Sequence, residues 1–167
     1  IGVRLVGSDI CIRDRVWCDL SASGQVLPRS EVAAPEVHFG YEAHRLLWSL
    51  GVAVALEQDQ RAAAYLRRVT QFSQDWQQRQ QIETQYRRDG QPVKAEASLD
   101  NYASMVSYLV GRGELSHARQ LYEQQLSPYF QRREDRYGWG ILDQTGSQNW
   151  LWLNTWLFNT VVVQPGK

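Results

Sequence analysis

A carboxylate, an imidazole and a guanidinium fall within four positions at Glu42, His44 and Arg45, inside the segment Phe39-Gly40-Tyr41-Glu42-Ala43-His44-Arg45. Tyr41, Leu46, Trp48, Leu50, Val52, Val54 and Leu56 make the next stretch apolar nearly all round, so the segment should open a buried helix. Glu42 then sits in the first turn, where the helix dipole favours its charge. Arg45 follows three residues later and can pair with it on one face. Two chemistries fit. One is a structural ion pair at a helix start. The other is a general base at the mouth of a helical fold, which needs a water within hydrogen-bond reach and a pKa set by its surroundings.

Other candidate groups are weaker. Trp139 stands between two glycines, and Trp150, Trp152 and Trp156 crowd the C-terminal stretch. Such a set reads as core packing or as stacking platforms for sugar rings. Asp100-Asn101-Tyr102 reads as a solvated helix start. Cys11 and Cys18 lie seven apart, and His38, His44 and His117 do not stand at ligand spacing, so no metal site and no cofactor is expected. The chain has no Gly-rich phosphate loop, zinc signature or Gly-x-Ser-x-Gly elbow.

Composition narrows the partners. The 167 residues suffice for one domain with a real core. Formal net charge is +0, which leaves no overall field to draw the chain onto nucleic acid or an anionic membrane. No apolar run approaches the roughly 18 residues that a membrane helix needs. Charges throughout residues 1–20 leave no visible export leader.

The elements that must hold these residues are helical. Residues 1–38 read as mostly irregular, with a helical turn near Asp14 to Leu20 and no hairpin signal. Residues 39–167 read as helical. After the first helix, Gln58 and Asp59 form a break, and a second helix is expected from about Asp59 to Gln80. Residues 82–96 form a connection whose Asp89-Gly90 pair marks a turn, with Tyr86 and Val93 flanking a small hairpin. Ser98 caps a third helix to about Val110, which Gly111 and Gly113 stop. A fourth runs from Leu115 to Phe130, a polar loop covers Arg132 to Thr145, and a last helix runs from Gln148 to about Val161. The expected fold is all-α, about five to six helices in antiparallel pairs with long loops. Loops this long are often functional.

The segment Phe39 to Arg45 resembles the aromatic-x-Tyr-Asp-Ala-x-Arg segment of glycoside hydrolase family 8, which holds endoglucanases and chitosanases. Tyr86-Arg87-Arg88-Asp89-Gly90-Gln91-Pro92 is similar to that family's tyrosine followed by an Asp-Gly turn. Val16-Trp17, Gly24 to Pro28, the helix from Ser98, Tyr129-Phe130 and Gln148-Asn149-Trp150-Leu151-Trp152-Leu153 stand in the family's order. The likeness spans roughly residues 16–160, and it rests on the order and spacing of the motifs. It implies the C-terminal half of an (α/α)6 barrel, since twelve helices need about 300 residues. It also implies inverting hydrolysis of β-1,4-linked glucans or related polysaccharides. Glu42 takes the catalytic base position, Tyr41 and Arg45 match motif neighbours in the substrate site, and Trp139 is expected to stack on a sugar. Family members are usually secreted or periplasmic.

This chain departs from the pattern in three ways. Glu42 stands where the family has Asp. Thr145-Gly146-Ser147 replaces a tyrosine pair. No residue takes the part of the general acid, which the family places in its N-terminal half. The chain alone is therefore expected to be inactive, and half a barrel should self-associate through an exposed seam. Two other readings fit the helix pattern. One is a tetratricopeptide-like interaction module, suggested by the pair 98–110 and 115–130 around Gly111-Arg112-Gly113. The other is a degenerate hydrolase that binds glycans without cleaving them.

Overall fold

The computed structural model describes residues 18–20, 26–28, 39–87, 89–93, 97–133, 136–140 and 153–154. The chain divides into two units, Ile1–Ala43 with Glu83–Glu96 and His44–Ile82 with Ala97–Lys167. The 83–96 connection groups with the N-terminal segment. The fold is all-α: the described residues are mostly helical, with two small two-stranded sheets among them. Among them no helix is long and apolar enough to cross a membrane.

In the first unit, β1 (Cys18–Leu20) pairs antiparallel with β2 (Val26–Pro28), Cys18 opposite Pro28 and Leu20 opposite Val26. Residues 18–20 are therefore extended, where a helical turn was expected. Residues 21–25, which connect the strands, lie outside the described residues. The second feature is the turn around Asp89-Gly90, which forms as expected. Gly90 has φ +83°, its N–H donates to the Arg87 carbonyl, and the Asp89 carboxylate accepts from Gln91 N–H at 2.9 Å. Arg87 N–H reaches the Gln91 carbonyl, and Val93 N–H reaches that of Gln85.

The second unit is built around α4 (Leu99–Gly111), whose residues Asn101 to Leu109 are all buried. Ser98 caps it, accepting from Asn101 N–H at 3.3 Å. α1 (Tyr41–Glu57) begins in the first unit and runs on through the second. α2 (Gln60–Arg68) starts on Asp59, whose carboxylate accepts from the N–H groups of Arg61 and Ala62. α3 (Gln71–Arg79) ends on Gln80 in the left-handed region. α5 (Leu115–Leu121) widens into a π turn over Tyr122–Leu126 and tightens into a 3₁₀ turn over Ser127–Tyr129.

Three expectations need correction. The helix expected over 59–80 is two helices, α2 and α3. Val69 is extended between them, with φ −85° and ψ 93°. A β-branched Val69-Thr70 pair is a poor helix interior, and the carbonyls released there find donors, as described below. The helix expected over 115–130 loses α geometry after Leu121. The loop expected over 132–145 contains the greater part of a hairpin, β3 (Phe130–Arg133) against β4 (Arg136–Trp139), with Phe130 opposite Trp139. Of the helix expected over 148–161, Leu153 and Asn154 are helical, and Trp150, Trp152 and Trp156 lie outside the described residues.

α1 and α4 cross with almost no side chain between them. A Cβ on Gly51 would stand 2.2 Å from the Ser107 carbonyl oxygen, and one on Gly111 would stand 2.5 Å from Leu66 Cδ1 and 2.9 Å from Gly51 Cα. The Ser107 hydroxyl donates to the Trp48 carbonyl at 3.0 Å across the same contact. Gly111, read as a helix stop, is the last residue of α4, and its bare backbone permits this approach. Gly51→Ala should therefore destabilise by about 2 kcal/mol, overpacking exceeding the gain in helix propensity. Urea unfolding at constant slope is the measurement.

Candidate functional site

The segment that suggested chemistry is held from upstream. Phe39 and Tyr86 exchange both main-chain hydrogen bonds, Phe39 N–H to Tyr86 O at 3.1 Å and Tyr86 N–H to Phe39 O at 3.0 Å. Their rings meet edge-on with centroids 6.3 Å apart. Gly40 follows, and its carbonyl accepts from Ala43 N–H at 2.9 Å, closing the first turn of α1. Tyr41 and Glu42 occupy that turn, while their side chains lie outside the described residues. The helix dipole favours a carboxylate at this place.

The other residues of the segment differ in exposure. Arg45 is half-buried one turn along α1, and its carbonyl accepts from the Ser49 hydroxyl at 2.9 Å. His44 is 1% exposed, with its ring 6.4 Å from that of Phe72 in the second unit's core. Its imidazole is sealed from solvent and serves packing.

Trp139 closes β4 and is 7% exposed. Its ring lies against Phe130, with centroids 5.1 Å apart, and Tyr122, with centroids 6.3 Å apart. The Asn154 amide clasps its backbone, accepting from Trp139 N–H at 2.8 Å and donating to Trp139 O at 3.0 Å. Tyr41 and Glu42 belong to the first unit, Arg45 and Trp139 to the second.

The Asp100-Asn101-Tyr102 reading needs revision. Asn101 and Tyr102 are buried, not solvated: the Asn101 amide donates to the Ile82 carbonyl at 3.2 Å, and Tyr102 packs edge-on against Trp76.

Sequence reasoning missed the strongest polar cluster of the second unit, centred on Glu114 at the start of α5. Its carboxylate accepts from the Ser73 hydroxyl, from Arg112 Nε at 2.7 Å, and lies 3.3 Å from His117 Nδ1. Arg112 also donates through Nη1 to the carbonyls of Leu66, at 2.6 Å, and Val69, at 2.9 Å, and its guanidinium lies over the Tyr108 ring. The Tyr108 hydroxyl donates to the Val69 carbonyl as well. These are the carbonyls released by the break between α2 and α3. The only signal in the sequence is the i,i+3 spacing of Glu114 and His117. Serine, carboxylate and imidazole do not make a nucleophile here, because the Ser73 proton goes to the carboxylate. The cluster is a latch between helices. Among the described residues, no group of three or more His, Cys, Asp or Glu side chains could hold a metal ion.

Burial pushes the Glu114 pKa up, but the hydrogen bonds from Ser73, Arg112 and His117 outweigh it and hold the carboxyl below the usual range. A carboxylate whose folded pKa is depressed stabilises the fold above its unfolded pKa and loses that contribution as pH falls through the folded one. The advantage of the wild type over Glu114→Gln in thermal midpoint should therefore be full above the ordinary carboxylate range and be lost progressively as acidification passes below it. Burial raises the Tyr108 pKa beyond the range in which a phenol titrates in such a series.

Comparison with family models, with curated proteins and with solved structures finds no match to this chain.

Proposed function

We propose that this chain supplies the general base and part of the sugar-binding surface of an inverting glycoside hydrolase. The bond class is the β-1,4 linkage of a glucan or related polysaccharide, and the architecture is part of an (α/α)6 barrel. One observation carries the reading. The two segments on which the resemblance chiefly rests, Phe39 to Arg45 and Tyr86 to Pro92, stand more than 40 residues apart and are joined backbone to backbone at Phe39 and Tyr86. Segments that are weak signals separately thus form one local structure at the head of α1.

In this mechanism, Glu42 takes a proton from a water as the water oxygen attacks the anomeric carbon. The new C–O bond forms on the face opposite the glycosidic oxygen, so configuration inverts. The departing oxygen takes a proton from a general acid, a role assigned to no residue of this chain. Inverting enzymes hold their two carboxyls roughly 6.5–9.5 Å apart to admit the water. Glutamate reaches one methylene further than the family's aspartate and narrows that gap from its own side. As the resemblance implies, Tyr41 and Arg45 take substrate contacts. Trp139 is 7% exposed with its ring against Phe130 and Tyr122, which leaves it little surface to offer a sugar.

The test is turnover of a soluble β-1,4-glucan by the natural protein with glutamate or glutamine at position 42. Lost turnover with retained glycan binding supports the reading; undiminished turnover ends it.

A further inference from the structure

We infer that Tyr86 is a positioning residue for Glu42, acting through the main chain of Phe39; the inference rests on the hydrolase reading above. Tyr86 is 2% exposed, and the contacts named here all lie within the first unit. Its backbone holds the Phe39 peptide on both sides, at 3.0 and 3.1 Å, and its ring meets that of Phe39 with planes inclined at 75°. Its hydroxyl accepts from Glu83 N–H at 2.8 Å. The residue is thereby fixed at both ends, main chain and phenol.

The consequence for Glu42 is geometric. Only Gly40 separates the clamped Phe39 from α1, and Gly40 is itself buried, with its carbonyl tied to Ala43 N–H. Direct bonds therefore run from Glu83 to Tyr86 to Phe39, and from Gly40 to Ala43 across the turn that contains Glu42. The helix start takes its direction from this clamp.

The phenol oxygen explains why tyrosine stands there. Residues 83–86 are not in a helix or extended ladder, yet Glu83, Thr84 and Tyr86 are buried. A main-chain N–H in such a stretch needs an acceptor. Phenylalanine would fill the same space and keep the bridge to Phe39, but it would leave Glu83 N–H without the phenol oxygen. A base must stand within hydrogen-bond reach of its water, and a displacement of about 1 Å can cost around 10²-fold in rate.

Tyr86→Phe, made in the natural protein and assayed on a soluble β-1,4-glucan below its melting temperature, should lower kcat roughly 10-fold or more while KM changes less than about twofold. A merely structural residue would instead lower the melting temperature and leave kcat of the folded fraction intact. Unchanged kcat in Tyr86→Phe, with Glu42→Gln inactive, overturns the inference. If Glu42→Gln keeps full turnover, the hydrolase reading fails and takes this inference with it. Amide hydrogen exchange gives a second readout should Tyr86→Phe be too unstable to assay. The Phe39 and Tyr86 amides of the wild type should exchange as slowly as the hydrogen-bonded Ala43 amide, and free exchange at either overturns the clamp.

Discussion

Glu42→Gln should lower turnover of a soluble β-1,4-glucan by about 10²–10⁴-fold, the range in which a positioned proton acceptor contributes. The exchange is nearly isosteric, so the first turn of α1 keeps its shape. The amide accepts hydrogen bonds but does not take a proton from water at any useful pH. KM should change little, because in the proposed mechanism the base acts on the water and not on the sugar. The pH profile provides a second check. Wild-type kcat/KM should fall on the acid side as Glu42 becomes protonated, whereas the residual rate of the variant should lack that limb. Glu42→Asp restores the residue type of the resembling family. It should retain more activity than Glu42→Gln, because the carboxylate survives with its reach shortened by one methylene. If all three proteins turn over substrate equally, Glu42 is only a favourably placed charge at a helix start.

Arg112→Met should destabilise the fold by about 3 kcal/mol, the low end of what removing one partner from a buried ion pair costs. The Arg112 side chain is 12% exposed and that of Glu114 21%, so Glu114 keeps some solvent contact, which argues against the upper end. The guanidinium does three things at once: it caps the carbonyls of Leu66 and Val69, pairs with Glu114, and covers the Tyr108 ring. Methionine retains much of the apolar stem and none of the donors. The Val69 carbonyl keeps the Tyr108 hydroxyl, but the Leu66 carbonyl loses its Arg112 donor. The Leu66 carbonyl keeps the Val69 N–H at 3.2 Å, so the cost there is that of one lost charge-assisted hydrogen bond, about 1.5–3 kcal/mol. Equilibrium unfolding in urea reads the effect, and a change below about 1 kcal/mol would mean that solvent replaces the latch at little cost.

The latch also explains where the sequence misleads. Ala63, Leu66, Val69, Phe72 and Trp76 recur at helical spacing straight through residues 69 and 70, and period alone demands one helix. The chain breaks there because Arg112 and Tyr108, some 40 positions away, are placed to receive the released carbonyls. A donor that distant leaves no trace in local pattern. The β3–β4 hairpin was hidden for a related reason: Gln131, Arg132 and Arg133 carry no apolar alternation, so nothing marks them as a strand.

The sequence by itself determined the elements whose signals are local. Ser98 at the head of α4, Asp59 at the head of α2 and Asp89-Gly90 in its turn each act on main-chain groups within three residues, and the buried run after Tyr41 marks α1 wherever it packs. Tertiary structure alone decided the contacts that join distant segments: Gly51 and Gly111 at the α1–α4 crossing, Arg112 across the α2–α3 break, and Tyr86 against Phe39. The reason is range. Caps and turns are settled by bonds between near neighbours. A close helix approach or a capped carbonyl depends on which group folding brings there, and spacing along the chain does not encode that.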